Sequence, residues 1–163
     1  MLKHILAIAA LSLSLAAPSF AQSAGHIAKA QKGQSCVGCN LFQADLAYRD
    51  IANANFSKSR LRQSNLSLAT LDDANLSRAN LSIANLFGAR FNRCNLSGAD
   101  MSQATAVGTY FGSSNLSGVN LSGTNLSGAD LSLAHGLTQR QLDKACGDEA
   151  TRLPRGLRIP RCR

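Results

Sequence analysis

Residues 74–86, ANLSRANLSIANL, decide the fold because their leucines return at every fifth position. The same spacing continues without insertion over residues 39–131, where eighteen of nineteen centres are Leu, Ile, Phe or Met and Ala106 is the exception. These positions, from Leu41 to Leu131, are called the repeat centres below. We expect them to share one interior, with a core ladder that includes Leu41, Leu61, Leu81, Phe91, Phe111 and Leu121.

A period of five residues fits neither an α-helix nor a flat strand. On an α-helix, five residues overshoot a full turn by about 140°, so the centres would spiral around the rod. On a strand, side chains alternate between two faces, so an odd period would send successive centres to opposite faces. The centres share one interior only if the chain turns a corner in every repeat. Four corners then close a square coil of about twenty residues.

The residues around each centre fit such a coil. Two positions before the centre the side chain is small in nearly every repeat, which suits a narrow interior filled without voids. The residue just before the centre is Asn or Asp in fourteen of nineteen repeats, and these side chains favour turns by bonding to nearby backbone. Arg49 breaks the small-residue rule, and we expect a local distortion there.

Written as Ala-(Asn/Asp)-Leu-Ser-Xaa, the repeat resembles that of the pentapeptide-repeat family, and a good copy is Ala74-Asn75-Leu76-Ser77-Arg78. The resemblance covers roughly three fifths of the chain. It implies an all-β solenoid, a right-handed quadrilateral β-helix whose nineteen repeats make about 4.75 coils.

Residues 1–21 have the features of a secretory signal peptide. Lys3 supplies the positive start, an apolar run follows, and a small-x-small pattern predicts cleavage after Ala21. We therefore expect an exported protein, either in the bacterial periplasm or secreted. Residues 22–35 are polar and contain glycine, which predicts a flexible lead-in to a repeat domain at 36–136.

The five cysteines of an exported chain would meet an oxidising compartment. Cys36 and Cys39 form a C-x-x-C at the mouth of the coil, while Cys146 and Cys162 flank the tail; all four are candidate disulfide cysteines. The C-x-x-C is open to three interpretations: a structural disulfide, a redox-active pair like that of thioredoxins, or half of a zinc site. Cys94 stands at an inward small position, which predicts a buried free thiol.

Residues 137–163 predict a short helix and a basic tail that cap the coil. Thr138 and Gln141 have the spacing of a capping box, and Leu137 and Leu142 that of a hydrophobic staple. An open coil end would expose strand edges and core side chains, and solenoids need caps there. The segment also looks like the tail common among bacterial pentapeptide-repeat proteins.

The formal net charge of +8 is unevenly spread. Residues 39–131 carry seven basic and six acidic side chains, whereas the tail from Leu137 carries seven basic and three acidic ones. Some members of the family act on DNA topoisomerases by imitating the negative charge of duplex DNA, and this rod lacks that charge. We expect no nucleic-acid partner, and at most a weak contact of the basic tail with an anionic envelope surface. Asp73 and Arg93, one coil apart, predict a weak surface ion pair.

One set of outward positions is apolar. Residues twenty apart should stack on neighbouring coils, so Tyr48 lines up with Leu68, and Phe87 lines up with Val107 beside them. These four residues are called the apolar column, and they form a candidate surface for a protein partner or a homodimer. The alternatives are that the lead-in covers the column, or that its members are scattered exposed apolar residues.

No catalytic set stands out in the sequence. His26 and His135 lie far apart, and no Ser-His-Asp, metal-binding or phosphate-binding motif is present. We therefore expect no enzymatic activity, no metal and no cofactor. The favoured interpretation is an exported scaffold that presents a surface for protein–protein interaction. The alternatives are an envelope stress or regulatory factor with a redox-active C-x-x-C and, third, a topoisomerase-binding DNA mimic.

Overall fold

The computed structural model describes residues 23–163, so the signal peptide expected at 1–21 lies outside the described residues. Two helices, α1 (Ala24–Gln31) and α2 (Gln139–Leu142), flank the repeat domain. Between them the chain pairs through single-residue parallel β-bridges instead of long strands. Bridges join residues twenty apart at every fifth position, from Asn40 with Arg60 to Asn115 with His135. Each coil therefore takes twenty residues and has four sides, as the period predicts.

The repeat centres fill the interior of the coil. Every centre from Leu41 to Leu131 is buried, and the six core-ladder residues are each at most 2% exposed. The rings of Phe91 and Phe111 stack with centroids 5.4 Å apart and planes 14° from parallel. Burying a side chain of this size stabilises the fold by roughly 1.5–3 kcal/mol, so the ladder is the main source of stability.

Polar side chains at the inward small positions are satisfied by backbone carbonyls. Thr109 Oγ1 donates to the Leu86 carbonyl oxygen at 2.7 Å, and Thr124 Oγ1 donates to the Met101 carbonyl oxygen at 2.7 Å. Within residues 23–163, no buried side-chain nitrogen or oxygen lacks a hydrogen-bond partner. The narrow core therefore tolerates Ser and Thr without the cost of an unpaired buried hydroxyl.

Each corner is a tight turn that the repeat sequence supports. In one copy, the Ala79 amide donates to the Leu76 carbonyl oxygen at 3.0 Å and closes the turn. Asn75 Oδ1 accepts from the Ser77 amide at 3.0 Å, which is the local bond expected of Asn before a turn. Arg78, the third residue of the turn, has φ of 56°. This left-handed conformation favours glycine, and Gly98 has it one coil further on.

The distortion expected at Arg49 is not found in the bridge pattern. The neighbouring bridge between Asp50 and Thr70 is kept, and the Arg49 amide still donates to the Leu46 carbonyl oxygen at 3.3 Å. The Arg49 side chain is exposed instead of buried. It lies in the first coil, where no further coil is stacked beneath it, so the side chain can leave the interior without breaking the register.

The flexible lead-in expected at residues 22–35 is wrong for the described part of that segment. Residues Ala24–Gln31 form α1, whose first turn is capped by Ser23 Oγ accepting from the His26 amide at 3.4 Å. Ala30 is fully buried, and Ile27 packs against the core. The helix is therefore held by contact with the coil as well as by its own cap.

Residues of α1 and its continuation cover the N-terminal edge of the first coil. The Asn40 amide donates to His26 Nδ1 at 3.2 Å, and Gln31 Nε2 donates to the Asp45 carbonyl oxygen at 3.0 Å. Further along, Ser35 Oγ accepts from an amide of the same coil, 2.9 Å away. Backbone groups that an open coil end would leave unpaired are satisfied by these contacts.

The opposite end of the coil is covered by α2. Leu142 is fully buried, and Gln141 Nε2 donates to the Leu116 and Val119 carbonyl oxygens at 3.1 and 2.9 Å. The Thr138 amide donates to Gln141 Oε1 at 2.9 Å, so the pair with capping-box spacing is in contact. Gln141 thus links the start of α2 to the last turns of the coil.

The tail beyond α2 continues the parallel pairing. Cys146 bridges Asn125, and Arg152 bridges Asp130, with slightly longer spacings than in the repeat. Asp148 holds the segment: its Oδ1 accepts from the Gly128 amide at 2.8 Å. This bond, with further bonds from the Thr151 side chain and nearby amides, lowers the pKa of Asp148 despite partial desolvation. Within residues 23–163, no helix has the length and apolar character needed to cross a membrane.

Candidate functional site on the coil surface

The apolar column lies at one corner of the coil, as the spacing predicts. The Leu68 amide donates to the Phe87 carbonyl oxygen at 2.8 Å, which places these two residues on adjacent coils. Tyr48 is 77% exposed, Phe87 49% and Leu68 46%, whereas Val107 is half-buried. A Cβ added at Gly88 would lie 2.7 Å from Leu68 Cδ2, so the leucine side chain lies over that glycine. The column is thus a continuous surface feature.

Two members of the column have an unfavourable backbone conformation. Tyr48 has φ of 60° and Leu68 has φ of 57°. At the same corner the following coils carry Gly88, Gly108 and Gly128, which adopt positive φ at low cost. For an L-residue with a side chain, this region costs about 1–2 kcal/mol. Twelve non-glycine residues of residues 23–163 share this conformation, so it belongs to the turns of the coil, and it is the exposure of the apolar side chains that makes Tyr48 and Leu68 candidates for a contact function.

The described part of the lead-in, residues 23–35, does not cover the apolar column. Its contacts from α1 reach Asn40 and Asp45 at the coil end, and Tyr48 stays largely exposed. Of the two alternatives raised by the sequence, coverage by the lead-in is therefore wrong in this structure.

A second corner carries an ion-pair network. Arg93 binds Asp73 through two hydrogen bonds, from Nε to Oδ1 at 2.7 Å and from a terminal nitrogen to Oδ2 at 2.5 Å. Arg90 pairs with Asp72 at 2.6 Å on the adjoining side. The hydrogen bond from Arg93 lowers the pKa of Asp73 and in turn raises the pKa of Arg93. Both partners are well exposed, so the predicted surface pair contributes little to stability.

Both candidate cysteine pairs are disulfide-bonded. The Cα atoms of Cys36 and Cys39 are 5.5 Å apart, and the Cα atoms of Cys146 and Cys162 are 4.8 Å apart. Cys36 is 2% exposed and Cys39 is 7% exposed, so this disulfide is buried at the mouth of the coil. Cys94 is a buried free cysteine, and burial strongly raises the pKa of its thiol.

The described residues contain no candidate metal site. Within residues 23–163, no group of three or more His, Cys, Asp or Glu side chains is arranged to hold a metal ion. His26 serves as a hydrogen-bond acceptor for the Asn40 amide at 3.2 Å, and His135 pairs in a backbone bridge with Asn115.

Sequence reasoning missed two further exposed apolar side chains and one recess. Leu133 is 63% exposed at the last copy of the ion-pair corner, and Val37 is 57% exposed within the C-x-x-C. Leu133 lies two residues after a repeat centre, the outward position that also identified Tyr48. Val37 lies within the first turn, which is outward as well. The recess near Phe42 had no sequence signal, because it depends on where long side chains lie.

The sequence profile described as "Pentapeptide repeats (8 copies)" matches the chain in overlapping segments, 39–78, 50–86, 64–103, 84–123 and 94–132. Together these segments span residues 39–132, which is more than half of the 163 residues. The chain therefore belongs to the pentapeptide-repeat family. It is a repeat scaffold of the kind that forms right-handed quadrilateral β-helices, in agreement with its twenty-residue bridges.

Three solved structures illustrate the similarity. HetL, a pentapeptide repeat protein involved in heterocyst differentiation regulation from the cyanobacterium Nostoc sp. strain PCC 7120, is 23% identical over 80% of this chain, with a TM-score of 0.42. A pentapeptide repeat protein from the Arabidopsis thaliana thylakoid lumen is 29% identical, with coverage of 60% of this chain and 68% of that one and a TM-score of 0.37. QnrB1, a plasmid-mediated fluoroquinolone resistance protein, is 20% identical, with coverage of 78% and 81% and a TM-score of 0.32.

These similarities concern the fold alone. The alignment spans 63% of the length of HetL, so a part of that protein has no counterpart here. No curated protein sequence matches the chain. The function must therefore be argued from this chain's own surface.

Proposed function

We propose that the chain is an exported, non-enzymatic scaffold that binds another protein through its apolar column, with a second copy of the chain as one candidate partner. In this proposal the solenoid of about 4.75 coils is a rigid support. The segment from α2 to the C-terminus caps one end, and α1 caps the other.

The observation that carries the proposal is the exposed apolar pair Tyr48 and Leu68. Other coils place glycine at this corner, which would be the better choice for stability at positive φ. The chain instead presents a tyrosine and a leucine there, next to Phe87 on the neighbouring coil. Aromatic side chains of this kind carry much of the binding energy at protein interfaces.

The redox alternative is less well supported. A redox-active C-x-x-C needs an accessible sulfur with a lowered thiol pKa. Cys36 and Cys39 are nearly inaccessible, and their disulfide closes the local turn over residues 36–39. Their arrangement favours a structural role.

The DNA-mimic alternative lacks the charge it requires. Within residues 39–131, basic side chains outnumber acidic ones by seven to six. Four of the basic residues, Lys58, Arg60, Arg62 and Arg78, are exposed on one side of the rod. An imitation of duplex DNA needs the opposite sign on its surface.

Sedimentation velocity of residues 22–163 tests the proposed contact surface. If the partner is a second copy, the wild-type chain sediments as a dimer and the Tyr48→Ser/Phe87→Ser variant sediments as a folded monomer. The apolar area buried by two such columns is lost on substitution, while the core is untouched. Leu133→Ser, which removes an exposed leucine at another corner, should leave the dimer intact.

A monomeric wild type would refute the homodimer and leave a different protein as the partner. A dimer that survives the double substitution would remove the column from the contact and contradict the proposal. Circular dichroism of each variant shows whether its coil is intact.

A further inference from the structure

The C-terminal segment adds two layers to the end of the coil. Arg152 forms a parallel bridge with Asp130, so its part of the chain stacks on the last coil. Gly147, in that same layer, bridges Arg161, so the final segment, residues 153–163, lies one layer further out. No bridge in the part of the chain that the structure describes joins this outermost layer to another one. Its outer side therefore faces solvent at the end of the rod.

The outermost layer presents arginines to solvent. It contains no Asp or Glu side chain, and its exposed residues include Arg155, Arg158, Arg161 and Arg163. Its leucine and isoleucine side chains are partly buried and pack against the core: Leu153, Leu157 and Ile159. The layer thus turns these apolar side chains inward and its arginines outward.

Helix α2 and the turn after it add two cations to the same end. Arg140 and Lys144 are exposed, whereas Leu142 is fully buried against the coil. Two residues span about 200° on a helix, so Arg140 lies on the side of α2 that faces away from the coil. Gln139 Nε2 donates to the Arg158 carbonyl oxygen at 2.9 Å, and the Arg158 amide donates to Gln139 Oε1 at 3.0 Å. These bonds place the outermost layer beside the start of α2.

Each carboxylate of the C-terminal segment already has a partner. Glu149 pairs with Arg161, and Asp148 accepts from the Gly128 amide at 2.8 Å. Asp143 Oδ1 accepts from Gln139 Nε2 at 2.7 Å.

Seven basic and three acidic side chains from Leu137 onward leave a net charge of +4. Two of the basic residues form ion pairs, Arg161 with Glu149 and Arg152 with Asp130. The other five form no ion pair within residues 23–163, and we call them the basic end: Arg140, Lys144, Arg155, Arg158 and Arg163. The uneven charge of the sequence is therefore concentrated at one end of the rod.

The composition of the basic end suits the surface of an anionic bilayer. Arginine donates in a planar fork that matches phosphate oxygens, and a cluster of four or more Lys and Arg residues is typical of contacts with anionic lipid. The arginines alternate with the half-buried Leu157 and Ile159 and the exposed Pro160. At a bilayer surface, such apolar groups lie among the headgroups while long cationic side chains reach the phosphates. A soluble polyanion would use the charges but not the apolar side chains.

We propose that the basic end docks the solenoid end-on to the surface of a bilayer rich in anionic phospholipid. The partner is the phosphate layer of the lipid headgroups, contacted by the five cations of the basic end. The apolar column lies on the side of the rod, so it stays free to bind a protein while the end is docked. The docking does not depend on the apolar column, and either proposal can fail alone.

Co-sedimentation with lipid vesicles tests the proposal on residues 22–163. One set of vesicles contains phosphatidylglycerol and phosphatidylcholine in equal amounts, and the other contains phosphatidylcholine alone. Each Lys or Arg near an anionic surface contributes about fivefold to binding, so we expect at least about tenfold tighter binding to the anionic vesicles. Asp143→Asn removes the carboxylate beside the basic end and should tighten binding about threefold, because the hydrogen bond from Gln139 is kept.

Two double variants with the same loss of charge separate end-on docking from general attraction. Arg155→Gln/Arg158→Gln should weaken binding to the anionic vesicles at least about tenfold. Lys58→Gln/Arg78→Gln should change it less than about threefold. Arg78 is about four layers, roughly 20 Å, from the outermost layer, which is beyond the screening distance of about 8 Å. Thermal unfolding verifies that both variants are folded.

Four results would overturn the proposal. They are equal binding to the two sets of vesicles, an equal loss in the two charge variants, a loss of vesicle binding in Tyr48→Ser/Phe87→Ser, and equally tight binding to a short DNA duplex at the same phosphate concentration. The third would make the apolar column the membrane contact. The fourth would make the basic end a site for soluble polyanions.

Discussion

Phe91→Ala should lower the free energy of unfolding by about 3–5 kcal/mol, because it removes a fully buried ring and leaves a cavity in a narrow core. Phe91 has no exposed surface, and its ring stacks on that of Phe111 at 5.4 Å. The interior of a square coil can collapse little, since every wall is held by bridges to the coils on both sides. Urea denaturation followed by circular dichroism measures the loss.

Two controls define this prediction. Phe91→Leu keeps most of the volume and should cost less than about 1.5 kcal/mol. Phe87→Ala removes an exposed ring from the apolar column and should change stability by no more than about 0.5 kcal/mol. Equal effects of Phe91→Ala and Phe87→Ala would contradict the assignment of inward and outward positions.

Cys146→Ser/Cys162→Ser should lower the free energy of unfolding by about 3 kcal/mol, because the bond restricts the unfolded chain over a separation of 16 residues. The tail that it closes also pairs with the coil, since Arg152, inside the closed loop, forms a parallel bridge with Asp130. Loss of the bond would therefore loosen the C-terminal cover as well. Thermal and urea unfolding of the oxidised proteins measure the difference.

Cys36→Ser/Cys39→Ser is the matched comparison. Its loop spans a separation of only 3 residues, so the same entropy argument gives a smaller loss of about 2 kcal/mol. A wild-type protein whose unfolding is unchanged by complete reduction would contradict a stabilising role for both bonds.

The period of the repeat centres predicts the coil because only one geometry keeps them together. Nineteen centres in step leave no choice of secondary structure, and the bridges follow at a spacing of twenty. Arg49 shows the limit of pattern reasoning. The sequence marks it as a misfit, but only the stacking of coils shows that a side chain in the first coil can leave the interior.

The helix α1 could not be predicted in the same way. It has only eight residues, and its stability comes from Ala30 and Ile27 packing on the coil end. A helix of this length is marginal in isolation, so its propensity alone is a weak signal. The serine at position 23 is a possible cap in the sequence, yet many loop serines look the same.

The candidate surfaces differ in how much of each can be predicted from the sequence. The apolar column follows from residue spacing, because stacking places Tyr48 and Leu68 at one corner. The cost of their backbone conformation, however, is visible only from φ. The recess lined by Phe42, Arg60, Arg62 and Asn80 depends on how long side chains are placed, which a repeat pattern leaves undetermined.

The most direct test of an exported scaffold closed by disulfides is the intact mass of the chain isolated from its native host. The protein is alkylated while denatured and before any reduction. The account predicts a chain that begins at Gln22 and carries one alkyl group, on Cys94. A chain that begins at Met1 with all five cysteines alkylated would contradict both export and the two disulfides at the ends of the coil.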